Sequence, residues 1–238
     1  MNSTALLVFA RCAGFAFRAP GFSHPSVPHP VRAGIALALA IVIVPGVPVV
    51  PRLSDIGFLL GLVVEFVLGS AIGIAASLLY DGAYAGGRML DDYVGVKAIA
   101  PNIELVAPSG FGRVWSLAFT GGYFLLGAYQ VTVLAFAASF SRIAPGAHFD
   151  AHAWSPFAIS LASTIVLVAA GVAGPAIALA FVVQIALGAL SRTIPRFATF
   201  TLSFPLVFGA VLVATAIALP ILTSQAAHPI LLLPKDLR

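Results

Sequence analysis

Long uninterrupted apolar segments constrain this chain more than any other feature of its sequence. Five of them make up more than half of the 238 residues, and Glu65 is the one charged side chain within them. A helix needs about 20 apolar residues to cross the hydrocarbon core of a bilayer, and four of the five segments reach that length. The segments are Ala33–Val50, Ile56–Tyr80, Val114–Ala138, Phe157–Leu190 and Phe197–Leu222.

The composition agrees with a membrane environment, because the chain is 61% hydrophobic and only 8% charged, whereas a soluble domain carries about 25% charged residues. The apolar segments are continuous rather than alternating, which favours helices over a β-barrel. With the shorter run Ala5–Phe17, the sequence predicts an all-α integral membrane protein with five to six long hydrophobic helices. We expect some helices to be kinked or to form re-entrant hairpins, and residues 1–238 to form a single membrane domain.

The net charge of +4 does not indicate a nucleic-acid partner, because the Lys and Arg residues are scattered singly rather than clustered on one face. If every apolar run crosses the membrane, the connectors that carry more Lys and Arg lie on one side. The positive-inside rule makes that side cytoplasmic and predicts that both termini are outside.

Two of the apolar runs have an ambiguous course. Ala5–Phe17 contains Arg11 and is expected to be a short first helix or a re-entrant piece. Phe157–Leu190 would be about 51 Å long as one helix, which exceeds the hydrocarbon core. Gly174 and Pro175 near its middle are compatible with a kinked helix or with a hairpin of two half-length helices.

A stripe of small residues marks the segment Ile56–Tyr80, where glycines and one glutamate recur every fourth residue. Such spacing lets helix backbones approach closely. A carboxylate within it is costly in lipid and is expected to face a partner, a cavity or water. A proton path is one interpretation of Glu65, and a hydrogen-bonded glutamate at a helix interface is the other. We favour the second because the long segments contain no other charge. The stripe consists of Gly57, Gly61, Glu65, Gly69 and Gly73.

A second polar position lies near the end of Phe157–Leu190. Gln184 and Gly188 share a helix face with Arg192 because the three are spaced four residues apart. Gln184 is expected to donate a hydrogen bond to a neighbouring helix.

Two alternative functions come from other classes of protein. The connector Asp81–Arg113 contains Asp91 and Asp92 and resembles the multi-aspartate motif of CDP-alcohol phosphotransferases, but the match fails at Ala85-Gly86. A secondary transporter or channel would bind solute at broken helices, but we find no internal repeat. We therefore predict no catalytic residue, no metal site and no cofactor.

Several stretches in order along about 200 residues resemble the export-apparatus family that includes FliR of the flagellum and SctT of the injectisome. The segment from Ala85 to Pro101 is closer to the injectisome branch of type III secretion, which serves virulence. The stretches are Arg11 to Pro20 with Pro30-Val31-Arg32, Glu65 to Gly73, Ala85 to Pro101, Gly121 to Pro145, Leu187 to Pro195, and Phe204-Pro205-Leu206.

The resemblance implies a non-enzymatic subunit of the export gate in the bacterial inner membrane. Such subunits form a channel for unfolded substrates with SctR/FliP-like and SctS/FliQ-like membrane proteins, and an SctU/FlhB-like protein wraps its entrance. The resemblance also implies a plug for the closed channel, which order along the chain places within Pro101–Arg113. The residues assigned to this plug loop are Pro101, Ala107, Gly110, Phe111 and Gly112.

Overall fold

The computed structural model describes residues 3–23, 27–51, 54–95, 110–146, 151–193 and 200–225. These ranges contain seven α-helices and a 3-10 turn at Val44–Gly46, which confirms the all-α prediction. The helices are α1 (Ser3–Arg18), α2 (His29–Ile43), α3 (Asp55–Val94), α4 (Phe111–Leu125), α5 (Ala128–Arg142), α6 (Ala151–Ser191) and α7 (Phe200–Gln225).

Three helical stretches in the described part of the chain are long and apolar enough to cross a membrane, namely His29–Gly46, Asp55–Val94 and Trp154–Ser191. The pair α4 and α5 would add a fourth if it forms one broken span. At 40 and 41 residues, α3 and α6 are each about 60 Å long. Both therefore extend well beyond a hydrocarbon core of about 30 Å.

The predicted segment Val114–Ala138 is not one helix. Helix α4 ends at Leu125 and α5 begins at Ala128, and the two are bent by 76°. Gly127 between them has a φ of +77°, a left-handed conformation that glycine adopts at little cost.

The predicted connector Asp81–Arg113 is wrong at both ends. Helix α3 continues to Val94, and α4 already begins at Phe111. Asp91, which the sequence placed in the connector, is buried in α3 and accepts a hydrogen bond from Phe111. The polar residues from Asp81 to Asp92 therefore belong to a helix and not to a connector.

The other ambiguous runs are each a single helix. Phe157–Leu190 lies within α6, which passes Gly174 and Pro175 without a break. Proline is tolerated within membrane helices where local adjustments satisfy the freed carbonyl. Helix α1 covers Ala5–Phe17 and keeps Arg11 inside it.

One compact unit includes Met1–Leu78 and Gly127–Ser163. In it α1 packs against α2, and aromatic side chains of α5 fill the space beside α1. The Phe15 and Phe136 rings are stacked with centroids 4.2 Å apart. Buried members of this core are Val8, Cys12, Phe15, Ala16, Ala19, Ala36, Ala40, Ile72, Phe136 and Phe140.

The other compact unit includes Leu79–Leu126 and Thr164–His228. Helix α4 packs along α7 here, with the Phe111 and Phe208 rings 5.3 Å apart. The second half of α3 closely approaches α6, since a Cβ on Gly86 would lie 2.7 Å from the carbonyl oxygen of Ala169.

Candidate functional site

Glu65, the charge within the predicted glycine stripe, is fully buried and paired with Arg11 of α1. The Arg11 Nε donates to Glu65 Oε2 at 2.5 Å, and Nη2 donates to Oε1 at 3.1 Å. This two-point geometry matches the planar guanidinium to the planar carboxylate, which is the strong form of such a pair. The pair joins α1 to α3.

Arg11 also donates hydrogen bonds to carbonyl groups at the C-terminal end of α5. Its Nη1 donates to the carbonyl oxygen of Ser139 at 3.4 Å, and its Nη2 donates to that of Ile143 at 3.0 Å. The guanidinium carbon lies 4.3 Å from the centroid of the Phe140 ring. A cation at a helix C-terminus interacts favourably with the unpaired carbonyls and the helix dipole. Arg11 therefore holds α5 as well as Glu65.

Glu65 has a further donor beyond the end of α5, because the backbone N–H of Gly146 donates to Glu65 Oε1 at 2.9 Å. Three donors thus converge on one carboxylate that is 0% exposed. Buried charges are tolerated when they are paired and hydrogen-bonded in this way. We call Arg11, Glu65 and the backbone groups of Ser139, Ile143 and Gly146 the ion-pair cluster.

Arg11 supplies a second buried charge that the five long apolar segments do not contain. Arg11 lies in the short run Ala5–Phe17, which is not one of the five long apolar segments. The sequence does contain a signal for this ion pair, namely the charged side chain of Arg11 inside an apolar run. Intramembrane charges pair with one another, so Arg11 and Glu65 were candidates for each other.

The close approach of α1 and α3 lies next to the ion pair. A Cβ on Gly69 would collide with the carbonyl oxygen of Arg11, and a Cβ on Gly73 would lie 2.7 Å from the Cβ of Arg18. Gly14 of α1 approaches α3 in return, since a Cβ there would collide with the carbonyl oxygen of Phe66. Sequence reasoning identified the glycines of α3 but missed Gly14 and the helix on which they pack.

The other predicted packing residues, two in the stripe and two in α6, are less closely packed than Gly69 and Gly73. Gly57 and Gly61 are half-buried. Gln184 is exposed and accepts a hydrogen bond from the Tyr93 hydroxyl of α3 at 3.4 Å, so it acts as an acceptor and not as the expected donor. A Cβ on Gly188 would meet no atom within 4 Å.

The residues assigned to the plug loop divide into two groups. Pro101 and Ala107 lie outside the described residues. Gly110 immediately precedes α4, whereas Phe111 and Gly112 form its first turn and are buried. The expectation that Phe111 and Gly112 belong to a loop is therefore wrong.

The hydrogen bonds of the ion-pair cluster join α1, α3 and the end of α5. We call this structural role a clamp. Each nitrogen of Arg11 donates to a carboxylate or carbonyl oxygen, and each oxygen of Glu65 accepts within the protein. In the described part of the chain, no three His, Cys, Asp or Glu side chains are grouped to hold a metal. The chemistry of the cluster is charge pairing between helices.

Comparison with known proteins covers nearly the whole chain. The family model "Bacterial export proteins, family 1" matches residues 3–231. The flagellar biosynthetic protein FliR of Bacillus subtilis (strain 168) is 26% identical over 210 residues, covering 84% of this chain and 80% of the relative. The protein of the same name in Aquifex aeolicus (strain VF5) is 23% identical over 223 residues, covering 92% of this chain and 86% of the relative.

Proposed function

Because the chain belongs to the bacterial export proteins, family 1, we propose that it forms the inner-membrane channel of a type III export apparatus together with SctR/FliP-like and SctS/FliQ-like subunits. Members of this family are structural components of the export apparatus and not enzymes, and this chain is such a component in the bacterial inner membrane. The family match over residues 3–231 is the observation that carries the proposal. Unfolded export substrates would pass through the channel, with an SctU/FlhB-like protein at its entrance.

The surface of the long helices supports assembly with other membrane proteins. Lipid tails cover about 30 Å of a helix, whereas α3 and α6 are each about 60 Å long. In α6 the exposed large apolar side chains run from Ile159 to Leu190, about 46 Å, which leaves apolar surface for neighbouring subunits beyond the lipid. In α3 they lie mainly between Ile56 and Val67. The exposed side chains of the two helices include Ile56, Leu59, Val63, Phe66, Ile159, Val166, Leu167, Phe181 and Ile185.

The branch of the family is a separate proposal. Similarity in the segment from Ala85 to Pro101 favours an injectisome, whereas the relatives named above carry flagellar names. Motility and effector secretion distinguish the two when the gene is deleted in its own host. Loss of effector secretion with normal motility would support the injectisome branch, and the reverse would support the flagellar branch.

The same deletion strain tests the proposed function. We expect export through one of the two systems to stop and to return when the wild-type chain is supplied from a plasmid. The control is the abundance of export substrates inside the cell, which should not fall. Unchanged export by both systems in the deletion strain would contradict the proposed function.

We also propose that residues 101–110 contribute to the plug of the closed channel, as the family resemblance implies. Residues 104–109 can be deleted while the buried Phe111 and Gly112 are kept. We expect an assembled gate that leaks ions or a small dye across the inner membrane. An assembled mutant gate that stays as tight as the wild type would contradict the plug but not the export function.

A further inference from the structure

Helix α4 begins without a capping side chain of its own. Gly110 occupies the N-cap position and its conformation is helical, with φ of −77° and ψ of −72°. The first turn of α4 contains no acidic residue. The first N–H groups of any helix lack partners within that helix and need an acceptor from elsewhere.

The acceptor comes from another helix, 20 positions earlier in the chain. Asp91 of α3 is 3% exposed, and its Oδ1 accepts a hydrogen bond from the backbone N–H of Phe111 at 3.0 Å. The same residue takes part in ending α3, because its carbonyl oxygen accepts from the N–H of Gly95 at 3.1 Å. Gly95 has a φ of +84°, which suits a helix end. Asp91 is thus bonded at the end of α3 and at the start of α4.

Two packing contacts also fix the start of α4, one with the backbone of α3 and one between aromatic rings. A Cβ on Gly87 would collide with the backbone of Gly112, so α3 and α4 are in backbone contact one turn away from Asp91. The centroid of the Phe111 ring lies 6.3 Å from that of Trp115 and 5.3 Å from that of Phe208 in α7. The Phe111 amide and the Phe111 ring are therefore both fixed by the surrounding protein.

We propose that Asp91 is a positioning residue that serves as the N-cap of α4 from a neighbouring helix, and that Phe111 and Gly112 belong to the fixed framework of the gate rather than to its plug. The second half of this statement rests on the proposed function, since it concerns a gate. The first half concerns this chain alone. A carboxylate at a helix N-terminus both accepts the hydrogen bond and favours the positive end of the helix dipole.

The test is hydrogen exchange of the backbone amides of residues 110–115, measured on the full chain purified from its membrane. Loss of an N-cap destabilises a helix end enough to speed exchange there by about ten-fold. We expect this increase in Asp91→Ala and near wild-type exchange in Asp91→Asn, whose side-chain oxygen can still accept from Phe111. Asp92→Ala is the matched control, because it removes the same charge from the exposed neighbouring residue, and we expect it to leave exchange in 110–115 unchanged.

Two results would overturn the cap: unchanged exchange in Asp91→Ala, or exchange in Asp91→Asn as fast as in Asp91→Ala. If Asp91→Ala does not accumulate, Asp91→Leu takes its place, because leucine keeps the side-chain volume and removes the acceptor for the Phe111 N–H. The cap predicts faster exchange in Asp91→Leu than in Asp91→Asn, and equal exchange in the two would overturn it. The assignment of Phe111 and Gly112 to the fixed framework is tested by hydrogen exchange of residues 110–115. Exchange is compared between idle gates and gates held open by a stalled substrate. We expect the same slow exchange in 110–115 in both, and faster exchange in the open gate would overturn the assignment. A deletion strain with normal export would contradict the proposed function while leaving the cap result intact.

Discussion

At the scale of single residues, Arg11 serves two helices at once. Its guanidinium binds the Glu65 carboxylate and also the carbonyl groups of Ser139 and Ile143. Five N–H donors in a rigid fork make this possible, whereas the lysine ammonium is a point charge on a flexible stem. The ion-pair cluster therefore depends on arginine and not merely on a positive charge.

Arg11→Lys should weaken the fold although it keeps the charge. The ammonium cannot replace the two-point contact with Glu65 and the bonds to the α5 carbonyls at the same time. We expect a lower thermal unfolding midpoint for the purified chain. A midpoint equal to that of the wild type would show that the charge alone suffices.

Glu65→Gln should destabilise the chain because Glu65 is paired with Arg11. With Arg11 opposite, the amide leaves a buried guanidinium without its counter-charge, and breaking a buried pair costs about 3–5 kcal/mol. We expect Glu65→Gln and Arg11→Met each to destabilise the chain by about that amount. The double variant should lose less than the sum, because neither charge is then left alone. Unfolding midpoints of the four proteins give this comparison.

Export by strains that carry the wild type, Glu65→Gln, Arg11→Met or the double variant distinguishes a clamp from a proton path. A clamp predicts that the double variant regains export in proportion to its regained stability. If the double variant is stable and assembled but does not export, a protonation role for Glu65 gains support and the clamp account fails.

Cys12 provides a direct reporter of how α1 is packed. It is the one cysteine of the chain and is 0% exposed beside Arg11. We expect a membrane-permeable maleimide to leave it unlabelled in the native chain and to label it after denaturation. Gly14→Leu, which pushes α1 away from α3, should make Cys12 reactive under native conditions. Rapid labelling of the wild type would contradict the buried position of α1.

At the scale of elements, the contact between α1 and α3 is made by backbone meeting backbone. Gly69 faces the carbonyl of Arg11, and Gly14 faces that of Phe66. Four-residue glycine spacing is typical of such crossings, so the sequence could predict a contact surface on α3. It did not identify the partner, because a single glycine in α1 forms no pattern.

Gly69→Ala should destabilise the chain even though alanine favours helices. The added Cβ would collide with the Arg11 carbonyl, and forcing atoms into a packed core costs about 1–3 kcal/mol. For a protein of this size each kcal/mol lowers the melting temperature by about 2–4 °C. Gly171→Ala in α6 is the matched control, since a Cβ there meets no atom within 4 Å. Equal melting temperatures for the two variants would contradict the close crossing.

The ends of helices were harder to predict than their existence. Apolar runs long enough for a bilayer locate the middles of α3, α6 and α7 because lipid excludes charge. By the same rule the predicted segment Ile56–Tyr80 ends before Asp81 and Arg88, although α3 continues to Val94. Charged residues are not penalised where a helix extends past the hydrocarbon core, so composition alone cannot mark its end. The hydrogen bond between Asp91 and Phe111 joins residues 20 positions apart, which composition does not indicate either.

At the scale of the whole molecule, the sequence identified the family but not the arrangement within the chain. The motifs from Glu65 to Gly73 and from Leu187 to Arg192 supported the family, which the match over residues 3–231 confirms. Single hydrogen bonds within the ion-pair cluster connect residues up to 132 positions apart. Such contacts arise from tertiary packing, which periodicity and motif spacing along one chain do not specify.

We propose that this chain is one subunit of a multi-protein export gate. The most direct test is the mass and composition of the tagged chain after mild detergent extraction from its own bacterial membrane, measured by native mass spectrometry. We expect a complex that contains this chain with two kinds of small helical membrane protein, of the SctR/FliP and SctS/FliQ types. A chain recovered quantitatively as a monomer or homodimer, under conditions that preserve other membrane complexes, would contradict the account.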